Sequence, residues 1–75
     1  MDTNDIITAP NIEGFQITEY LGVVFARGSS PDQVFDQVVK QADELGANKI
    51  VGFQLHWPTP RRYYGSGTAV RAEVI

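Results

Sequence analysis

The sequence predicts an α+β fold of the order β-α-β-β, in which one amphipathic helix packs on one face of a sheet. Three observations predict it. Residues 15–26 are rich in β-branched and aromatic side chains, which favours a long first strand. Residues 30–46 carry the start signal, the periodicity and the stop signal of a helix. Residues 49–57 and 68–75 alternate between apolar and other side chains, as half-buried strands do.

The first strand follows a short extended segment at residues 5–8 and becomes continuously apolar over residues 21–25. Gly22 lies inside this run and predicts a β-bulge or a bend, because glycine weakens a regular strand. A strand that is apolar on both sides needs cover on both faces of its sheet. One helix covers one face only, so we expect a second subunit to cover the other.

The helix has clear signals at both ends. Ser30 is the predicted N-cap, Pro31 the first helical residue, and Gln33 stands where a capping box places it. Gly46 is the predicted stop, since a residue in the left-handed conformation ends many helices. On a helical wheel the apolar side chains fall in one arc. They are Val34, Phe35, Val38, Ala42 and Leu45.

The last two strands are expected to form a hairpin, and the first two to run parallel through a crossover. Their alternation places two apolar sets on one shared face, under the helix. These sets are Val51, Phe53, Leu55 and Trp57, and Val70, Ala72 and Val74. Trp57 is therefore expected to be at least half buried. Gln54, His56, Arg71 and Glu73 would then lie on the uncovered face.

Length and composition limit the function classes. Residues 1–75 form a single domain, and a domain this small usually needs a supplement to its core. No cysteine is present, which excludes disulfides and thiolate metal sites and leaves self-association as the expected supplement. The net charge of −3 disfavours nucleic-acid binding. No apolar run is long enough to span a membrane, and the acidic N-terminus predicts a cytoplasmic protein.

The link between the last two strands has two interpretations. Pro58 and Pro60 predict a turn, because proline cannot donate to a strand ladder. The same stretch is also rich in the residue types that anchor interfaces, which suggests a protruding contact with a neighbouring subunit or a partner. The candidate contact residues are Trp57, Arg61, Arg62, Tyr63 and Tyr64. Both interpretations stay open on the sequence alone.

No catalytic constellation is present, so we predict that the chain is not an enzyme. His56 is the only histidine, and no motif pairs it with a nucleophile. It is also the only candidate nitrogen ligand for a divalent metal ion. A soft-metal site needs several such ligands, so we expect weak binding at most, with symmetry bringing copies of His56 together. The acidic helix residues Asp32, Asp36 and Asp43 are the alternative ligands.

Five segments resemble one known family. They are residues 6–8, 13–17, 19–24, 44–52 and 65–70, and in this order they are similar to the YbjQ-like family. That family is described as heavy-metal-binding and forms rings, typically pentamers. The resemblance therefore implies an α+β subunit of a homo-oligomer that binds a metal or a small ligand, and it implies no catalytic residues.

The chain departs from this family in two places. Residues 27–30 join the first strand directly to the helix, where family members commonly carry a long insertion, and this leaves the ring size open. The link at residues 56–67 also differs from the family pattern. The alternatives are a structural or interaction module and a small-ligand-binding shell similar to the dodecins, which share the length and the β-α-β-β order.

Overall fold

The computed structural model describes Met1 and residues 3–75. A short 3₁₀ turn at Thr3–Asp5 precedes four larger elements. They are β1 (Phe15–Gly28), α1 (Pro31–Glu44), β2 (Lys49–Thr59) and β3 (Arg62–Val74). The α+β class and the order β-α-β-β are confirmed, and each strand is longer than its sequence pattern predicts.

The strands form one antiparallel sheet in the order β1-β3-β2. Because β1 and β2 are each antiparallel to β3, they run parallel to each other, as expected for two strands joined through a helix. They are not neighbours, however, since β3 lies between them. The expected hairpin of β2 and β3 is present, and β1 pairs with the remaining edge of β3.

The central strand β3 is regular, and the irregularities fall on its two neighbours. Each of the four register shifts inserts one extra residue into β1 or β2. One lies at Gly22, where the sequence predicts a bulge. Another follows Val51 and contains Gly52 at φ +63, a left-handed conformation that glycine adopts without strain. Side chains on one face of a regular strand are an even number of positions apart, and Ile50 and Phe53 are three apart. The extra residue in this bulge brings both of them to the core.

The hydrophobic core lies between α1 and the sheet. A Cβ atom at Gly65 would lie 2.5 Å from Val34 Cγ1, and one at Gly67 would lie 2.7 Å from Ile50 Cγ2. Both glycines therefore face the core, and neither position has room for a side chain. The buried members of the cluster are Val24, Ala26, Val34, Val38, Ala42, Ile50, Phe53 and Ala69.

The face of β3 that α1 covers is opposite to the face predicted from the sequence. Ala69 belongs to the core cluster, so the alternation of a strand turns Val70, Ala72 and Val74 away from α1. Val70 and Ala72 are buried outside that cluster, and Val74 is exposed. The prediction is wrong because alternation separates two faces without saying which one a helix covers. Here α1 packs on the side with the smallest residues, where it can approach most closely.

Trp57 is 61% exposed, so the prediction that it is half buried is also wrong. Phe53 is buried and Leu55 packs against the core, as expected from the same set. Two bulges interrupt the alternation of β2, one at Gly52 and one between His56 and Thr59. The strand pattern therefore cannot be extended from Phe53 to Trp57.

The N-terminal segment continues the sheet beyond β2. Ile6 forms a parallel bridge with Ile50, and the Ile7 amide donates to the Ile50 carbonyl over 2.7 Å. The amide of Gly52 donates to the Ala9 carbonyl over 2.9 Å. Lys49 forms an ion pair with Asp5 at the start of this segment. This segment therefore pairs with residues 50–53 at the outer edge of β2 and extends the sheet there.

The helix begins and ends as its signals indicate. The Gln33 amide donates to Ser30 Oγ over 3.4 Å, and Gln33 Oε1 accepts from the Ser29 amide over 2.9 Å. This is a capping box in which the glutamine reaches one residue further back than usual. Gly46 follows the helix at φ +80, which satisfies the predicted stop.

Two glutamines of α1 close part of the outer edge of β1. Gln41 Nε2 donates to the Phe25 carbonyl over 2.7 Å, and the Phe25 amide donates to Gln41 Oε1 over 3.1 Å. Gln37 Nε2 donates to the Arg27 carbonyl over 2.8 Å. These side-chain amides take the place of a fourth strand, so this stretch of the edge is closed to strand addition.

Among the described residues, α1 is too short and too polar to cross a bilayer, and the 3₁₀ turn is shorter still.

Candidate functional site

The hairpin extends past the core as an exposed arm, which we define as residues 54–64. Its turn consists of two residues, Pro60 and Arg61, and Thr59 pairs with Arg62. The interpretation of residues 57–65 as a long link is therefore wrong, because β2 and β3 both run through it. Pro58 is tolerated because it lies in the bulge between His56 and Thr59, where the ladder needs no donor.

The arm forms one wall of a cleft whose other wall is the end of β1. Strand pairing sets Arg27 opposite Tyr64 and Gly28 opposite Tyr63. The cleft has a volume of about 320 Å³. Its lining residues are Arg27, Gly28, Arg61, Arg62, Tyr63 and Tyr64. Four of the five predicted contact residues therefore line one cleft, and the fifth, Trp57, lies beside it.

The cleft concentrates positive charge in an acidic protein. It holds three of the six Lys and Arg residues of a chain whose net charge is −3. Within the described residues, the ion pairs join the N-terminal amine to Asp43 and Lys49 to Asp5, so no carboxylate neutralises Arg27, Arg61 or Arg62. Three guanidinium groups, each with a planar set of donors, are thus available to an anion.

Sequence reasoning missed Arg27. It lies far from the arm along the chain, at the end of the first strand, and only the pairing of β1 with β3 brings it opposite Tyr64. An antiparallel alignment of the β1 and β3 sequences could have found it, but several registers satisfy the apolar pattern equally well.

The rings of Trp57 and Tyr63 contact each other at the side of the cleft. Their ring centroids lie 6.4 Å apart with an interplanar angle of 37°, a tilted arrangement that aromatic pairs favour. Tyr63 also packs against the hydrophobic core. The core therefore anchors one tyrosine of the cleft, and the exposed Trp57 rests on that tyrosine.

His56 is exposed on the arm, opposite Tyr64 on β3, which is itself opposite Arg27 on β1. In the part of the chain that the structure describes, no three His, Cys, Asp or Glu side chains come together as metal ligands. This holds for His56 and for the acidic helix residues Asp32, Asp36 and Asp43, all of which are exposed. The described residues thus offer no cluster of ligands for a metal ion, and Arg27, in the same row of the sheet as His56, would repel a cation.

His56 has no activated nucleophile beside it in residues 4–75. No hydrogen bond joins its ring to a serine, a threonine or a tyrosine hydroxyl of that range. The register sets Ser66 opposite Gln54 and His56 opposite Tyr64, so His56 and Ser66 lie in different rows of the sheet. The site offers binding groups and no pair of a nucleophile and a base.

A second cleft, of about 250 Å³, lies between the N-terminal segment, α1 and β2. Its lining is almost entirely apolar: Ile6, Thr8, Phe35, Phe53 and Leu55. The rings of Phe35 and Phe53 are 5.6 Å apart between centroids and form its floor. Its lining has one hydroxyl group and no charged group, so it offers a ligand fewer polar contacts than the cleft at the arm.

Comparison with known proteins decides the family. No family model matches the chain. The UPF0145 protein MJ1170 of Methanocaldococcus jannaschii is 35% identical over 81 aligned positions, which cover 91% of each protein. The chain belongs to the UPF0145 family. This confirms the resemblance to the YbjQ-like family at the level of membership.

A solved structure supports the fold of this UPF0145 protein. The crystal structure of a protein of unknown function from Pediococcus pentosaceus, of the DUF74 family, superimposes with a TM-score of 0.60. The two are 22% identical, and the match covers 91% of this chain and 96% of the other. Neither relative is described by an activity, so the UPF0145 membership supplies an architecture and leaves the function to be argued from the site.

Proposed function

We propose that this UPF0145 protein is a non-enzymatic subunit of a ring-shaped homo-oligomer. The ring assembles through the exposed part of the sheet face that α1 does not cover. The observation that carries the proposal is the exposure of Val23 and Phe25. Val23 is 76% exposed and Phe25 is 55% exposed, whereas Val24 and Ala26, which alternate with them along β1, are buried in the core.

The apolar side chains of β1 thus form two faces, and α1 covers only one of them. Tyr20 extends the exposed face towards the start of the strand. Large apolar side chains that are exposed side by side are typical of interaction surfaces. A second copy of the chain is the simplest cover, because small domains commonly gain stability by self-association.

The shape of the subunit agrees with this proposal. Its accessible surface is 4935 Å², and its longest dimension is 40 Å. A compact monomer of this mass would expose roughly 4600 Å². The arm contributes to this additional surface and carries the exposed Trp57, which we propose as a contact to the neighbouring subunit. Gln37 and Gln41 close the adjoining edge, so the assembly uses the face of β1 rather than strand addition at that edge.

Most homo-oligomers have closed symmetry, and a head-to-tail contact forms a ring when its rotation divides a full turn evenly. The family resemblance implies five subunits, and we adopt a pentamer as the specific form of the proposal. The cytoplasmic location and the absence of enzymatic activity stay predictions.

We expect the wild-type protein to sediment at a multiple of its 8.3 kDa subunit mass. The double variant Val23→Glu, Phe25→Glu should sediment as a monomer, because two buried like charges at each interface cost more than the contact supplies. Analytical ultracentrifugation at tens of micromolar measures both. Leu45→Glu is the control for an added glutamate outside the proposed interface, because it places one negative charge on an exposed apolar residue at the end of the helix layer and should leave the oligomer intact.

Circular dichroism of each variant shows whether the subunit stays folded. A wild-type protein that sediments as a stable monomer at these concentrations contradicts the proposal. So does a folded double variant that keeps the wild-type mass.

Metal binding enters the proposal only as a weak property of the ring. One subunit brings His56 and no second histidine or cysteine, so a soft metal needs copies of His56 from several subunits. We expect zinc titrations by calorimetry to give a dissociation constant weaker than micromolar, and we expect His56→Ala to abolish the signal.

The His56→Ala variant separates the two possible ligand sets. Submicromolar zinc affinity that persists in this variant would contradict the expectation. The ligands would then be carboxylates, with Asp32, Asp36 and Asp43 of α1 as the first set to replace.

A further inference from the structure

We infer that the cleft between the arm and the end of β1 is an anion-binding site for a small phosphate-bearing molecule. This inference goes beyond assembly and does not depend on it, because all the residues that line the cleft come from one chain. It assigns Arg61, Arg62, Tyr63 and Tyr64 to a ligand, and leaves Trp57 as the proposed subunit contact.

The charge of the cleft is the first argument. Arg27, Arg61 and Arg62 converge on one cavity, and within the described residues no carboxylate pairs with any of them. Like charges that share a site repel each other, and a bound anion removes this repulsion. Of the three cationic side chains outside the cleft, Lys49 pairs with Asp5, Arg71 Nη1 donates to the Gly46 carbonyl over 3.0 Å, and Lys40 is exposed on α1. The cleft is therefore the place where unpaired cations of this acidic protein are concentrated.

The identity of these residues is the second argument. Arginine presents a rigid fork of donors that matches the oxygens of a phosphate, and it keeps its charge at any physiological pH. Tyr64, which lies on the same sheet face as Arg27, adds a phenol group that can donate to phosphate oxygens or lie against an organic moiety. No carboxylate lines the cleft. A cation is thus excluded on charge, and a multiply charged anion meets complementary groups on both walls.

The size and support of the cleft indicate a small ligand. Its volume of about 320 Å³ is at the lower end of the range for small-molecule sites. A single-stranded nucleic acid needs an extended groove with several stacking rings, and this cleft is short. The walls are also held in place, since Tyr63 packs on the core and β1 pairs with β3 up to Gly28. The backbone of both walls is thus fixed before a ligand binds, and only the exposed arginine side chains have to be ordered by it.

Pyrophosphate is the test ligand, because it carries phosphate groups and no organic moiety. The fluorescence of Trp57 reports its binding. Trp57 is the only tryptophan and contacts Tyr63, which lines the cleft. We expect pyrophosphate to change its fluorescence saturably at constant ionic strength, with calorimetry as an independent measurement. Arg27→Gln and Arg62→Gln should each weaken binding by about tenfold or more, as expected for lost hydrogen bonds between charged groups. Arg27→Lys should lose part of the affinity although it keeps the charge, because the fork is lost.

Lys40→Gln is the matched control. Lys40 is exposed on α1, outside the cleft, so the variant changes the net charge equally and should alter the affinity by less than about twofold. Circular dichroism confirms that these surface variants are folded. ADP and oligothymidylate are compared with pyrophosphate at the same salt concentration. An ADP affinity at least equal to that of pyrophosphate, lost in Arg27→Gln, supports a site for organic phosphates.

Three results would overturn the inference. The first is the absence of saturable pyrophosphate and ADP binding at millimolar concentration. The second is an equal loss in Lys40→Gln and Arg27→Gln, which would indicate general attraction to a charged surface. The third is oligothymidylate binding more tightly than both small phosphates, with a strong salt dependence, which would make the arm a nucleic-acid surface.

Discussion

Replacing Ile50 with alanine is expected to lower the free energy of unfolding by about 2 to 5 kcal/mol. Ile50 is fully buried in the core cluster, and its Cγ2 atom fills the space opposite Gly67. Gly67 offers no side chain that can move into the cavity. Small domains have only a few kcal/mol of net stability, so this single substitution removes a large part of it. Urea denaturation followed by far-UV circular dichroism measures the loss.

Trp57→Ala is the matched comparison, since it removes a larger apolar side chain from the same strand. Trp57 is 61% exposed, so we expect a loss below about 1 kcal/mol, mostly from its contact with Tyr63. Both variants are measured at one protein concentration, because association adds to apparent stability. A larger loss for Trp57→Ala than for Ile50→Ala would contradict the exposure of Trp57 and would support its proposed contact with a second copy of the chain.

Gly67→Ala is expected to destabilise the protein by about 1 to 3 kcal/mol, although it adds only one methyl group. The new Cβ atom would lie 2.7 Å from Ile50 Cγ2 and 3.3 Å from both Phe53 Cα and the Val51 carbonyl oxygen. Two of these three atoms are backbone, which cannot move without disturbing the β2 bulge. The entropy that alanine removes from the unfolded chain stabilises by less than about 1 kcal/mol, so the clash decides the sign.

Ser66→Ala is the control for this second substitution. Ser66 lies next to Gly67 on β3 but pairs with Gln54 and Phe25 on the face away from α1. Its change should stay within about 0.5 kcal/mol. Thermal unfolding of Gly65→Ala, Gly67→Ala and Ser66→Ala in parallel makes the comparison. If Gly67→Ala were as stable as Ser66→Ala, Ile50 and the β2 bulge would not pack against Gly67 as closely as we describe.

The glycines also explain why the sheet face was assigned incorrectly from the pattern. A hydrophobic pattern marks the residues that bring apolar side chains to a core, and Gly65 and Gly67 bring none. The apolar Val70 and Ala72 were therefore placed under α1, whereas they are buried on the second face. Close packing of a helix on a strand of small residues leaves no periodic signal, because the large side chains come from the helix and from β2.

The arm shows the same limit at the candidate site. The sequence singled out Trp57, Arg61, Arg62, Tyr63 and Tyr64, and four of them do line one cleft. It also suggested that Trp57 is buried, and this failed because the β2 bulges shift its alternation. Arg27 joins the candidate site because β1 pairs with β3, and no local sequence signal predicts the register of that pairing.

The local signals by themselves determined the helix and the order of the elements. Ser30, Pro31 and Gln33 start α1, Gly46 stops it, and Gly22 marks a bulge, because capping and backbone conformation depend on residues close together in the chain. The tertiary structure alone decided the placement of β3 between β1 and β2, the face that α1 covers, and the meeting of Arg27 with the arm. These features depend on register and on close packing between distant segments, where a shift of one residue turns every side chain of a strand to the other face.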